Sequence, residues 1–418
     1  MSNNDNNGIV VMKFGGTSVA DAERIKRAAR RIVEKREAGY SVVAVLSARG
    51  KTTDELIAMA QALSADPDPR EMDMLLSSGE RISCALCAIA INDLGHRAIS
   101  LTGSQAGIVT DDSHTKARIL DVRADRVRAA LDEDAIVLVA GFQGVSSTAK
   151  NVTTLGRGGS DTTAVAVAAA LGAQECEIYT DVAGVYTADP RIVPDARKLA
   201  TVSFEEMLEM AASGAGVLQL RSVEYARNHG VRIHCRSSFD SEPGTVVLEE
   251  GTMEQPLITA VTHSTDEARL TLVGVPDELG AAARIFEALA AVNVNVDMIV
   301  QNEPSSAGGL AEISFTVPRE DLRASRAALA PLTGDAFAAM TTHEEMGKVS
   351  IIGAGMRSHP GVAARVFSTL AEEDVNIEMI ATSPIKISCV IDRALVPRAV
   401  QALHAAFELA GPGTSIPE

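Results

Sequence analysis

Three glycine-bearing stretches carry the residue types that phosphoryl and carboxylate chemistry needs. Thr153 to Ala173, TTLGRGGSDTTAVAVAAALGA, sets Gly156, Gly158 and Gly159 around Arg157 and follows them with Ser160, Asp161 and Thr162 ahead of an alanine-rich run. The glycines permit a tight backbone that faces an anion, and the three polar residues are good helix caps. Capping explains one of them, not all three beside an arginine. An arginine fork suits bidentate capture of a carboxylate, so Arg157 reads as a substrate clamp and Asp161 as the residue that positions Lys13 across the site. In VVMKFGGTSVADAERIKRAA, Lys13, Phe14, Gly15, Gly16 and Thr17 lead from an apolar run into a helical pattern. Paired glycines let backbone amides approach an anion, and Lys13 brings a mobile positive charge to a transferring phosphoryl group. The third stretch, EIYTDVAGVYTADPRIVPDARKL, is polar and constrained, as binding loops are. There Tyr186 can flank a base and Arg191 can meet phosphate.

The elements that must hold these loops alternate. GIVVMKFGG, YSVVAVLSA, RAISLTG, AIVLVAGFQG, CEIYTDV and VRIHCRSS read as strands. DAERIKRAARRIVEKREAG, TTDELIAMAQALSA, REMDMLLSSGERISCALCAIAINDLG, TKARILDVRADRVRAALDED, SDTTAVAVAAALG and FEEMLEMAASGAGVLQLRSVEYARNHG read as helices. Such alternation predicts a mainly parallel sheet covered on both faces, with ligands at the carboxyl ends of its strands. Neither the Walker A pattern nor a G-x-G-x-x-G after the first strand is present.

With 418 residues, 46% hydrophobic and 22% charged, the chain predicts two to four folded domains. A net charge of −17 argues against a nucleic-acid partner. The polar opening MSNNDNNG and the lack of eighteen uninterrupted apolar residues predict a cytoplasmic protein without a membrane partner. Five scattered cysteines argue against a disulfide framework. Cys84 and Cys87 read as buried apolar residues one helical turn apart, since neither a second pair nor a nearby histidine completes a metal site. His229 and His234 read as structural, and no protein metal ligand is assigned.

The C-terminal part is duplicated. RLTLVGVPDELGAAARIFEALAAVNVNVDMI starts at Arg269 and KVSIIGAGMRSHPGVAARVFSTLAEEDVNIEMI at Lys348, with Gly280, Arg284, Phe286, Leu289, Asn295 and Met298 matching Gly361, Arg365, Phe367, Leu370, Asn376 and Met379. Each copy reads as strand, glycine turn, amphipathic helix and strand, the start of a ferredoxin-like module.

Lys13 to Ser18, Ser47-Ala48 with Thr53, Gly79-Glu80, Gly156 to Asp161 and Tyr179 to Arg191, in this order and followed by the duplicated tail, resemble the aspartokinases of the amino-acid kinase superfamily with tandem ACT domains. The resemblance covers essentially the whole chain. It implies an α/β fold: a three-layer amino-acid kinase sandwich with a mainly parallel sheet over 1–248, then two ferredoxin-like βαββαβ units, one at 265–340 and one built from 249–264 plus 341–418. PLITAVTH is expected to feed a strand into the second unit.

The implied reaction is ATP-dependent phosphorylation of the L-aspartate β-carboxylate, the first step toward lysine, threonine and methionine. By resemblance, Lys13, Phe14, Gly15, Gly16 and Ser47 hold the ATP phosphates, and Thr180, Asp181, Tyr186 and Arg191 line the nucleotide pocket. Thr53, Glu80, Arg157 and Ser160 hold the amino acid, with Lys13 and Asp161 at the catalytic centre and Mg2+ bridging ATP oxygens. Glu80 suits an α-ammonium and Arg157 an α-carboxylate. The implied effectors are lysine, threonine or both, at Asp277, Gly280, Asn295, Asp297, Gln301 and Asn302 in the first unit and His359, Asn376, Ile377 and Glu378 in the second. A homo-oligomer through the ACT units is expected, or assembly with a separately translated regulatory subunit started at Met253. The chain departs from the family pattern at Gly216, where a nucleotide-contacting lysine is usual, at Arg49 and Lys51, at Leu279, and at Pro384 in the strand-like TSPIKIS. These departures leave two other expectations: a kinase for a substituted aspartate, and a non-catalytic ACT-bearing sensor or partner subunit.

Overall fold

The computed structural model describes residues 8–249, 257–302 and 309–411. Met253 lies outside them. The main sheet has eight strands in the order Thr201–Ser203, Thr245–Leu248, Arg232–Ser237, Glu175–Thr180, Ile9–Phe14, Ser41–Leu46, Ile136–Ala140, Ala98–Leu101. All neighbours are parallel except the Arg232–Ser237 and Thr245–Leu248 pair. The central strands are continuous apolar runs because both faces are covered. Val11, Val43, Val45, Val137 and Val139 pack on one face with helix Gly159–Leu171. The alternate residues Val10, Met12, Phe14, Val42, Ala44 and Leu46 pack on the other with helices Ala22–Glu37 and Ser78–Asp93. This period of two puts Lys13 on the first face and Phe14 and Tyr179 on the second.

Three expected helices are broken. The stretch 115–134 holds strand Ile119–Val122 and only the short helix Asp125–Asp132. Ile119–Val122 edges a second sheet with Ile108–Thr110, Gln143–Ser146 and Val152–Thr154, which helical periodicity does not reveal. The run 70–95 is two helices, Pro69–Leu76 and Ser78–Asp93, hinged at Ser77. The run 204–230 is also two, Phe204–Ala212 and Leu220–His229, separated where Gly214 takes φ +105° to pass the backbone of His263.

The duplicated part forms one six-stranded sheet in the order Ile299–Asn302, Leu310–Pro318, Ala260–Pro276, Ala339–Ile352, Lys386–Asp392, Met379–Ser383. The long strand Ala260–Pro276 serves both units. Its first residues, Ala260 to Ser264, pair with Ile352 to Lys348, and its later ones pair with Leu310–Pro318. Equivalent residues of the repeat then meet crosswise. Arg269, which opens the first copy, lies 2.7 Å from Glu378 of the second. Lys348, which opens the second copy, pairs with Asp297, the first copy's equivalent of Glu378, and with Glu267 at 3.1 Å. Lys348 is 4% exposed and keeps its charge because two carboxylates offset its desolvation. Pro384 sits in the two-residue turn between Ser383 and Lys386, not within a strand. A turn requires no ladder N–H from it, so the proline breaks no pairing.

Helix Phe204–Ala212 joins the two parts. Glu206, 1% exposed, closes a capping box with Ser203 and accepts hydrogen bonds from Thr259 Oγ1 at 2.5 Å and Ala354 N at 3.2 Å. Glu209 pairs with Lys386 at 2.8 Å and accepts from Ser383 Oγ. Glu206→Gln should lower thermal stability by about 1–3 kcal/mol, because an amide cannot accept at both oxygen positions and leaves buried donors unmatched. A thermal melt that matches the unsubstituted protein would show that this junction contributes nothing.

Candidate active site

The glycine-rich loops gather at the carboxyl ends of the parallel strands. Lys13 is the last residue but one of the strand Ile9–Phe14, and its Nζ lies 2.5 Å from Asp161 Oδ1, with both side chains largely buried. Asp161 reaches it from the first turn of helix Gly159–Leu171. Ser160, in the same turn, is 7% exposed. Its Oγ would be 2.7 Å from a Cβ added at Gly141, the residue just past strand Ile136–Ala140.

The helix begins at Gly158, which has φ +70° and would drive an added Cβ to 1.9 Å from Gln219 Cγ. Strain and contact act together there. Gly158→Ala should cost about 1–3 kcal/mol of stability and displace the loop, measurable as a lowered unfolding midpoint together with a raised substrate KM. An unshifted midpoint would remove the glycine from the argument.

The first loop is packed as closely. Gly16 would place a Cβ 2.8 Å from Ala48 O. The Gly15 N–H donates to Tyr179 O, so the glycine pair presents one amide fewer than its sequence suggests. Gly16 to Val19 form a single 3-10 turn, whose leading amides have no acceptor inside the turn. Phe14 stacks on Tyr179, with centroids 4.8 Å apart, and contributes packing from the opposite face of the sheet. Ser47 N donates to Phe14 O, which brings Ser47 beside the first loop.

Glu80 is 3% exposed in helix Ser78–Asp93, and its Oε1 accepts from Ala48 N at 3.2 Å while Oε2 has no protein partner. Burial pushes its carboxyl up to about 7 against the lowering pull of those backbone donors. Gly79 lets the helix approach, since a Cβ there would be 2.8 Å from Ala48 Cβ. Thr53 lies in the first turn of helix Thr52–Leu63, which follows the same loop. Arg157 extends into solvent, 88% exposed, with Glu320 of the duplicated part 3.7 Å away. Of the four residues expected to hold the amino acid, it is the one that the fold leaves exposed.

Thr180, Asp181, Tyr186 and Arg191 line one cavity of about 420 Å3, together with Gly216. Arg191 is held at its edge by a two-pronged pair with Asp189, and this cation keeps the Asp189 carboxyl below its ordinary range. Nothing lies within 4 Å of a Cβ added at Gly216, so this wall is open. Val261, Thr262 and His263 of the long strand Ala260–Pro276 close another wall, so the cavity belongs to both parts of the chain. Sequence reasoning passed over His263 because it sits in a strand of the other domain.

It also passed over Asp73. This buried carboxylate accepts from His114 Nδ1 at 2.6 Å, Thr154 Oγ1 at 2.5 Å and Thr115 N at 3.1 Å, and so fixes the strand that leads into Gly156. Arg221 reinforces that loop by donating to Leu155 O and Ala117 O. An isolated aspartate in an amphipathic helix carries no signal of such a network. Arg49 turns away from the centre and donates to Ala20 O at 3.0 Å, while Lys51 is exposed. Cys84 and Cys87 are buried among apolar residues.

Of the ten expected effector residues, Asn302, Ile377 and Glu378 line a shared cavity of about 480 Å3 beside Arg269. Asp297 is engaged by Lys348. Asp277, Asn295, Gln301 and Asn376 are exposed, Gly280 caps helix Ala281–Ala291 with φ +91°, and His359 Nδ1 lies 2.9 Å from Gly355 O.

Comparison with known proteins agrees with this arrangement. Residues 8–237 match the amino acid kinase family, and residues 270–330 and 349–407 match the ACT domain. The chain is 56% identical to an aspartokinase of Mycolicibacterium smegmatis and 52% identical to one of Corynebacterium glutamicum, in each case over 96% of this chain and 97% of the relative. The structure of E. coli aspartokinase III with aspartate and ADP, in its R-state, superposes with a TM-score of 0.83 at 27% identity, covering 95% of this chain and 99% of that one. The same enzyme with lysine and aspartate, in its T-state, gives 0.73 over 96% of this chain and 99% of that one, again at 27% identity. The chain belongs to the aspartokinases, kinases of the amino acid kinase family that carry ACT domains.

Proposed function

We infer that this chain transfers the γ-phosphoryl group of ATP to the β-carboxylate of L-aspartate, giving 4-phospho-L-aspartate and ADP, under control of an amino acid at the ACT units. The observation that carries the reading is the Lys13–Asp161 pair between two glycine-rich loops, beside a buried carboxylate with an open oxygen at Glu80. ADP and aspartate occur together in the E. coli relative.

The acceptor requires no general base, since a side-chain carboxyl with a pKa of about 3.9 is ionised near neutral pH. Its oxygen forms a bond to the γ-phosphorus as the bond to the β,γ-bridging oxygen breaks, and the electron pair leaves with ADP. The residues therefore align and neutralise. Lys13, oriented by Asp161, faces the phosphoryl oxygens with the leading amides of the Gly16 turn and with Ser47. Glu80 receives the α-ammonium, Arg157 swings in from solvent to the α-carboxylate, and Thr53 and Ser160 border the amino acid. Thr180, Asp181, Tyr186 and Arg191 surround the nucleoside.

Mg2+, when bound with ATP, draws charge from the phosphate oxygens. Among the described residues the only three-ligand carboxylate and histidine group is Glu175, Glu177 and His234. Glu177 lies on the sheet face opposite Lys13 and is already engaged by Lys35 and Arg236, so the ion fits a site supplied by ATP oxygens.

The extra cations that suggested a substituted aspartate do not favour one, because Arg49 is spent on a backbone carbonyl. Lysine and threonine are the proposed effectors, with an ACT-mediated oligomer or a separate regulatory subunit as the assembly. ADP release coupled to a spectrophotometric readout, over a panel of aspartate, N-substituted aspartates and glutamate, tests the acceptor. A substituted aspartate turned over with a higher kcat/KM than aspartate would overturn it.

A further inference from the structure

A cavity of about 510 Å3 lies on the far side of the sheet from Lys13, between helix Ala22–Glu37 and the strands that carry Tyr179 and Arg236. Arg27, Arg30, Arg31, Lys35 and Arg236 line it, against Glu34 at its edge. Beneath it, Glu177 is 1% exposed and accepts from Tyr179 OH at 3.0 Å, with Lys35 at 2.8 Å and Arg236 at 3.3 Å. Five cations therefore face Glu34 and Glu177, with Asp240 acting on Arg31 and Glu175, itself paired with Arg232, acting on Lys35, in a chain whose overall charge is −17.

Arg27 and Arg30 have no carboxylate ion pair among the described residues, and Arg31 has only the exposed Asp240 carboxylate acting on it. Arg30 donates to Lys26 O and Arg31 to Asp240 O. Arg27 lies over the Phe239 ring at 5.5 Å, and Arg31 and Arg236 lie over the Tyr179 ring at 5.3 and 5.8 Å. Spacings of three and four residues place like charges side by side on one helix face, which is unfavourable without a counter-charge. Aromatic faces and backbone carbonyls hold these guanidinium groups, each of which carries five N–H donors and is seen to use at most one of them in a hydrogen bond.

We propose that this cavity is a second anion site, taking a small multiply charged oxyanion of the oligophosphate or polycarboxylate class. Guanidinium forks match both chemistries. The site is also joined to the phosphate loop: Tyr179 stacks on Phe14 and accepts from Gly15 N, so an anion on the guanidinium layer bears on the residues flanking Lys13.

The test is calorimetric binding of pyrophosphate and, separately, citrate to the full chain in a Lys13→Ala background, which removes the main cation of the other phosphate site. The expected result is saturable binding of one anion per chain, weakened about tenfold or more by R27Q/R30Q and unchanged by R126Q, an exposed arginine on a helix of the opposite face. Pyrophosphate alone binding assigns the phosphate source, citrate alone the carboxylate source, and both a general oxyanion site. R27Q/R30Q removes repulsion, so its melting midpoint should not fall. No binding of either probe, or binding indifferent to R27Q/R30Q, overturns the proposal.

Discussion

Lys13→Ala should lower kcat for aspartate phosphorylation by about a thousandfold while the protein stays folded. The Nζ is a largely buried cation against the first glycine loop, 3.5 Å from a Cβ added at Gly15, and Asp161 holds it at 2.5 Å. Removing one donor directed at developing charge typically costs a hundred- to a thousandfold, and here the lost group carries a full charge. Asp161→Asn should cost less, because the ammonium remains but loses its orientation. KM for ATP should change less than kcat in both variants, since a group that acts on the transferring phosphoryl is felt most in the transition state. Steady-state kinetics resolve the split. A Lys13→Ala enzyme within tenfold of the parent kcat would remove Lys13 from the centre.

The second large effect belongs to Glu80. Glu80→Gln should raise KM for aspartate by about a hundredfold, as expected for loss of a buried charge-assisted contact to an ammonium worth roughly 3 kcal/mol. The pH dependence follows from its carboxyl, pushed up to about 7 by burial from an ordinary 4.5. In the free protein Glu80 is mostly protonated below about pH 7, whereas the bound ammonium favours the carboxylate. Aspartate binding therefore releases a proton, and apparent affinity should rise about tenfold per pH unit up to about pH 7 and level off above it. The folding contribution has the opposite sense. The native state holds this proton more tightly than the unfolded chain, so Glu80 lowers stability progressively as pH rises from about 4.5 to about 7, and Glu80→Gln removes that slope. A pH-independent KM across this window, or equal slopes in both proteins, would contradict the assignment.

The sequence carried the parallel architecture plainly, because apolar strand runs and amphipathic helices differ in period, and the duplicated tail showed itself by matched glycines and asparagines. The second sheet was illegible: Ile108–Thr110 and Val152–Thr154 are three residues each, too short for a period to show. The two overlong helices were misjudged for another reason. Ser77 and the Ser213 to Gln219 segment interrupt apolar patterns without a proline, and only the approach of Gly214 to His263 explains the second break.

The candidate site was legible where chemistry and backbone coincide. Lys13, Asp161 and the surrounding glycines are demanded by both, whereas the buried environment of Glu80 depends on Ala48, far away in sequence. Residues that act through tertiary position left no mark. Asp73 looks like any helical aspartate, and His263 like any strand residue, until the loop and the cavity are assembled. The effector residues behave differently again. Asp297 and Glu378 are equivalent in the repeat, yet both are engaged crosswise by Lys348 and Arg269, a relation that appears only when the two copies share one sheet.

Acyl-phosphate formation, trapped as the hydroxamate with hydroxylamine, tests the central claim most directly. With Mg-ATP and L-aspartate the folded protein should accumulate aspartyl hydroxamate in step with ADP, and lysine or threonine should change the rate. Folded protein that forms no hydroxamate at saturating ATP and aspartate would contradict the account.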